Sequence, residues 1–97
     1  MKGYWLVLGT DVTDAEAQAE YGRLWAPVAA KYGARVRRGD EAPTMLEAGD
    51  KSRILLVEFA DLATAQACYD DPDYQAARAF AMKAAQRELV IFAATLD

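Results

Sequence analysis

Hydrophobic positions along the chain follow two periods, and the points where one gives way to the other mark its elements. Residues 3–10 (GYWLVLGT) form an apolar run rich in aromatic and β-branched side chains and bounded by glycines, which predicts a buried strand. Ala17, Tyr21, Leu24, Trp25, Val28, Ala29 and Tyr32 then recur at helical spacing and make one continuous stripe. Thr13 with Glu16 has the pattern of a capping box, so the helix is expected to start near Asp14. Pro27 has no amide hydrogen and crowds the preceding turn, which predicts a kink or restart near Ala26. Gly33 is the natural stop.

Beyond Gly33 the period shortens to two. Ala34 to Gly39 alternates as a half-buried strand with Ala34, Val36 and Arg38 on one face. Asp40 to Pro43 interrupts it, Thr44 to Ala48 resumes extended structure, and Gly49-Asp50 reads as a hairpin turn into a strand over Ser52 to Ala60. Folding about that turn places Glu47 opposite Arg53 as a cross-strand ion pair. Asp61 caps a short helix through Cys68 and Tyr69. Asp71-Pro72 opens another, with aspartate as cap and proline at the first helical position, running to about Arg87. Leu89 to Leu96 closes the chain as a strand apolar on both faces.

The order is β-α-β-β-α-β with the second helix in two pieces, and 97 residues suit a single domain spanning 1–97. The simplest solution is an α+β sandwich of ferredoxin-like type, a four-stranded antiparallel sheet with its helices on one face. One helical layer covers one sheet face only. Yet Tyr4 to Leu8 and Leu89 to Phe92 are apolar on both faces. A homodimer packed sheet to sheet, enclosing a cavity, is the expected remedy.

Composition narrows the chemistry. A net charge of −4 argues against nucleic acid as partner. There is no basic amphipathic stripe for a membrane surface, no run approaching the roughly 20 apolar residues of a span, and no signal-peptide core before Asp11. Arg35, Arg37 and Arg38 cluster, but beside a turn they read as a solvated strand. The lone Cys68 cannot staple the fold and reads as an inert core thiol, with the cytoplasm as default compartment. The absence of histidine excludes a Ser-His-Asp triad, an imidazole base and histidine-ligated haem or zinc. Asp70, Asp71 and Asp73 serve helix capping before they serve a cation, so neither metal nor cofactor is expected.

One carboxylate stands out. Glu58 lies inside Arg53 to Phe59 (RILLVEF) on the same strand face as Ile54 and Leu56. An unpartnered carboxylate there costs several kcal/mol, roughly, so it must be paired, protonated or facing a wet cavity. Arg38 is the neighbouring-strand residue expected to approach it. Arg78 shares a stripe with Tyr74, Ala77 and Ala81, and Tyr69 and Tyr74 bracket the helix break with their hydroxyls.

Several segments together resemble a known family. They are Lys2-Gly3-Tyr4-Trp5, Asp11 to Asp14, Tyr32-Gly33-Ala34-Arg35 leading to Arg38-Gly39, Arg53 through Glu58-Phe59, Ala65 to Tyr69, and Asp73-Tyr74-Gln75 up to Arg78. As a set they resemble the domain of unknown function 1330 family of the dimeric α+β-barrel superfamily. The resemblance implies a ferredoxin-like protomer and a sheet-to-sheet dimer, and no settled reaction. Gly39-Asp40 stands where such proteins often carry a glycine pair.

Two functions follow. In one, a small anionic or conjugated molecule sits in a pocket near Glu58, held by Arg38 or Arg78 and oriented by Tyr74 and Tyr69. Glu58, its pKa raised by apolar neighbours, moves a proton in a cofactor-free oxygenation or isomerisation. In the other, the protein is a non-catalytic homodimeric binding or interaction protein, and Arg38 and Glu58 are structural.

Overall fold

The computed structural model describes residues 1–96. Its elements are β1 (Lys2–Gly9), α1 (Ala15–Tyr32), β2 (Arg35–Arg37), β3 (Arg53–Phe59), α2 (Leu62–Asp70), α3 (Pro72–Ala84) and β4 (Arg87–Ala94). The strands lie in the order β2-β3-β1-β4, and each neighbouring pair is antiparallel. This is the ferredoxin-like α+β arrangement expected from the order of elements.

Strand parity decides what each face carries. Trp5 is paired with Val57 on one side and Ile91 on the other, and this row faces the helices. Tyr4 is paired with Glu58 and Phe92, and this row faces away. Trp5 is 1% exposed and packs among the rings of Trp25, Phe59, Tyr69 and Tyr74 at centroid distances of 4.9 to 5.9 Å. Its indole N–H donates to the Ala65 carbonyl at 2.9 Å, tying β1 to α2. Small side chains give the aromatics room: Ala77, Ala81 and Ala84 turn the buried side of α3 into a nearly flat surface. Gly3 serves the same end, since a Cβ there would fall on the backbone of Asp61 and Leu62.

The caps differ in part from expectation. Asp14, not Thr13, caps α1, its carboxylate accepting from the Ala17 amide at 3.0 Å. The Thr13 hydroxyl is drawn instead to the Ala84 carbonyl, 3.3 Å away across the fold. Helix α1 runs unbroken through Pro27, which sits on its exposed side and costs only the bond that the Arg23 carbonyl would have accepted. Gly33 ends the helix in the left-handed conformation at φ 62°.

Strand β2 is only three residues long, and Thr44 to Ala48 forms no strand. Glu47 therefore never faces Arg53, whose Nε donates to the Thr10 carbonyl at 2.7 Å. The long helix stops at Ala84 and β4 begins at Arg87. Ala85 leaves the helix with an ordinary extended backbone, and the period-two pattern of Arg87, Leu89 and Ile91 takes over as β4.

Asp71 caps α3 as expected and does more. Its carboxylate accepts from Lys31 Nζ at 2.8 Å and from the Tyr32 hydroxyl at 2.6 Å, pinning the end of α1 to the start of α3. Hydrogen bonds from Lys31, Tyr32 and the Asp73 amide hold its carboxyl down to about 2, against an ordinary 3.8. A depressed folded value means the contribution is complete above the ordinary value and disappears as pH falls through the folded one. Acid unfolding followed by circular dichroism should therefore show a loss between pH 3.8 and about 2 that Asp71→Asn abolishes while lowering stability at neutral pH. Gly3→Ala should cost about 1–3 kcal/mol in urea denaturation, because backbone rather than a pliable side chain occupies the space.

Candidate functional site

A cavity of about 390 Å³ opens between α1 and the helix-facing side of the sheet. That volume suits a small organic ligand. Its walls include the rings of Trp5, Tyr21 and Trp25, and its cations are Arg38, Arg53 and Arg87. Among the described residues, no aspartate or glutamate lines it. In a chain with a net charge of −4, this is a segregated positive interior.

Arg87 owes its place to strand parity. It opens β4 opposite Gly9, in the row that faces the helices. The guanidinium lies 5.3 Å from the centre of the Tyr21 ring, and Nη2 donates to the Tyr74 hydroxyl at 3.3 Å. Among the described residues it makes no ion pair. Tyr74 is fully buried, and its hydroxyl lies 3.3 Å from that of Tyr21. Burial, then the neighbouring Tyr74, pushes the Tyr21 phenol upward against the pull of Arg87. Tyr21 therefore keeps its proton at neutral pH and offers the cavity a donor, not a base.

Glu58 is elsewhere. It points to the open face of the sheet, on the other side from the cavity, because it pairs with Tyr4 rather than with Trp5. Arg37 donates to its Oε1 at 3.1 Å, while Arg35 and Lys2 approach Oε2 at 3.7 and 3.6 Å. The carboxylate is only 6% exposed but each cation is more than half exposed, so solvent screens every pair. The expected partner, Arg38, is not among them. Register sets Arg35 across from Glu58 and Arg37 across from Leu56, so the odd-numbered arginines reach the carboxylate and Arg38 belongs to the other parity. Arg38 sits just past β2 and lines both the cavity and a shallow hollow on the open face beside Tyr4, Leu6 and Leu96.

The remaining candidates divide. Tyr74 lies directly behind the cavity wall through Tyr21 and Arg87. Tyr69 is a packing residue, edge-on to Trp5, and Arg78 is half-buried on α3; neither lines the cavity or the hollow. Cys68 is buried, and burial pushes its thiol up to about 12, which makes it unreactive. Arg87 escapes notice in the sequence because the helix is expected to end there, and Tyr21 and Trp25 escape notice as cavity walls because their spacing announces only a packed helix face. The alternation of Arg87, Leu89 and Ile91 was the one available signal for the first.

The profile of the family described as "Domain of unknown function (DUF1330)" matches residues 2–95. The chain belongs to this family. No curated protein matches it. Among solved structures, the DUF1330 chain is similar to a protein of unknown function from Rhodopseudomonas palustris, with 22% identity, a TM-score of 0.70, and 99% of this chain and 84% of the other covered. It is similar to a dimeric ferredoxin-like protein of unknown function from Jannaschia sp. CCS1, at 17% identity, TM-score 0.68, and 97% and 100% coverage. It is also similar to SnoaB, a cofactor-independent oxygenase from Streptomyces nogalater, at 16% identity, TM-score 0.61, and 99% and 95% coverage. At these identities the likeness establishes the fold. It is the ferredoxin-like fold named for the Jannaschia protein.

Glu58→Gln removes the charge that gathers Lys2, Arg35 and Arg37 but keeps the side chain's shape. It should cost up to about 1 kcal/mol in chemical denaturation, and less in high salt.

Proposed function

We propose that this DUF1330 protein is a single-domain homodimer that binds a small, planar organic anion in the cavity between α1 and the sheet. The observation that carries this reading is Arg87, a largely enclosed cation that faces aromatic walls and has no carboxylate among the described residues to answer it. A guanidinium so placed is satisfied by a bidentate oxyanion. The flat rings of Trp5, Tyr21 and Trp25 favour a conjugated body attached to that group.

Dimerisation through the open face is supported by what that face exposes. Ile54 is 46% and Val90 58% exposed there, with Leu6, Leu56 and Phe92 between them on the same strand faces. The Jannaschia protein of the same fold is described as dimeric. In this reading Glu58 ties β2 to the sheet at the rim of the interface, and the cavity works without it. The single buried thiol suits a reducing compartment, and we place the protein in the cytoplasm on that ground.

Catalysis is a second reading, favoured by the fold shared with SnoaB and its cofactor-independent oxygenase activity. The cavity supplies electrostatic stabilisation of an enolate or phenolate and no carboxylate base, so the ligand itself would bring the ionised group. Glu58, across the sheet, takes no proton from it.

Titrating benzoate against tryptophan fluorescence tests the binding reading, since Trp5 and Trp25 both line the cavity. Saturable quenching is expected, weakened at least about tenfold in Arg87→Met through loss of a charged hydrogen-bonding pair. An equal response in wild type and Arg87→Met would sink the proposal. Sedimentation equilibrium should give a dimer at micromolar concentration, and Val90→Lys should shift it toward monomer.

A further inference from the structure

The Arg87, Tyr74 and Tyr21 contacts fix a direction of hydrogen bonding that the distances alone leave open. Tyr74 is 0% exposed, so its phenol has no water to turn to. Its oxygen accepts from Arg87 Nη2 at 3.3 Å. Its own O–H proton must then find an acceptor, and among the described residues the oxygen within reach is that of Tyr21, at 3.3 Å. The reverse arrangement, with Tyr21 donating, would leave the Tyr74 proton unpaired in a dry interior, which is the costlier choice. The order is therefore Arg87 to Tyr74 to Tyr21. Tyr21, whose side chain lines the cavity, has then accepted and keeps its own O–H free to donate.

We infer that Arg87, Tyr74 and Tyr21 form a polarised donor chain whose last proton, on the Tyr21 hydroxyl, is an oxyanion-binding site for the phenolate or enolate form of a conjugated ligand. Each link draws electron density toward the guanidinium, which makes the terminal O–H a stronger donor than an isolated phenol. Tyr21 does not serve as a base here; it holds a charge that the ligand brings. Both links are long at 3.3 Å, and an anion at Tyr21 would tighten them in turn. Selectivity follows from the same geometry: the site favours the ionised form of a weakly acidic phenol or enol over its neutral form. Tyr74 is a positioning residue, since it acts through Tyr21. The inference rests on the cavity being a ligand site, and adds the chemical class of the ligand and the residue that reads it.

The test uses para-nitrophenol, whose ionised form absorbs visible light. In wild-type protein it should bind as the phenolate, with its ionisation midpoint shifted to lower pH than in buffer. Tyr21→Phe should weaken phenolate binding about tenfold or more and abolish the shift. Tyr74→Phe, which leaves Tyr21 at the wall, should reduce the shift, and the double variant should be no worse than Tyr21→Phe alone. A merely structural role for these rings would alter stability without moving the midpoint. Binding with an equal shift in wild type and Tyr21→Phe would overturn the chain while leaving the cavity reading intact. Failure of wild type to bind either para-nitrophenolate or para-nitrobenzoate would remove the cavity reading itself. Proton NMR of the ligand-free protein then decides the donor order independently: the Tyr74 hydroxyl proton should exchange slowly and show a cross-peak to the Tyr21 ring. A slowly exchanging Tyr21 hydroxyl with a fast Tyr74 would refute that order.

Discussion

The indole of Trp5 organises this fold. Its N–H is committed to the Ala65 carbonyl, and its ring touches aromatic partners from α1, β3, α2 and α3. A tryptophan locked in this way leaves β1 no freedom of register, because a slip of one residue would carry it to the other face. Everything else about the two faces follows. With Trp5 turned to the helices, Tyr4 and Glu58 must turn away, and Arg87, in line with Trp5 on the neighbouring strand, must turn inward.

Two groups of charge are thereby kept apart by the thickness of the sheet. On one side the carboxylate of Glu58 gathers three solvent-exposed cations. On the other, three arginines line an aromatic cavity with no acid among its described residues. The first arrangement is closed on itself and fixes a short edge strand in place. The second is left open electrically: none of its three arginines meets an acidic residue among the described lining of the cavity.

Much of the fold could be read in the chain because its local signals agree with its packing. Asp61, Asp71-Pro72 and Gly33 punctuate the helices where the structure has them, and the strand runs at Tyr4 and Ile54 hold. The failures share a cause. Thr13 gave way to Asp14, and helical propensity around Gln86 gave way to a strand, because partners distant in sequence decided both. The candidate site was harder to read. Glu58 stands out in the sequence as a carboxylate that must be paired, protonated or facing a wet cavity, and it is paired; its partner is Arg37 rather than the expected Arg38, which lies one residue on and so on the other parity. Arg87 and Tyr21 look like ordinary helix residues in one dimension. Their meaning depends on the junction between α3 and β4, which the sequence marks only by the alternation of Arg87, Leu89 and Ile91.

The brevity of β2 has an effect that reaches past the protomer. A sheet border offers unpaired amides to any passing strand, and here that border is three residues long, with Arg35 and Arg37 both solvated on it. Such a margin is too short and too strongly charged to template another chain, so ribbon-like or fibrous growth from this side is discouraged. Strand-to-strand growth from this border is thereby disfavoured, while Val90 and Ile54 remain exposed on the open face of the sheet.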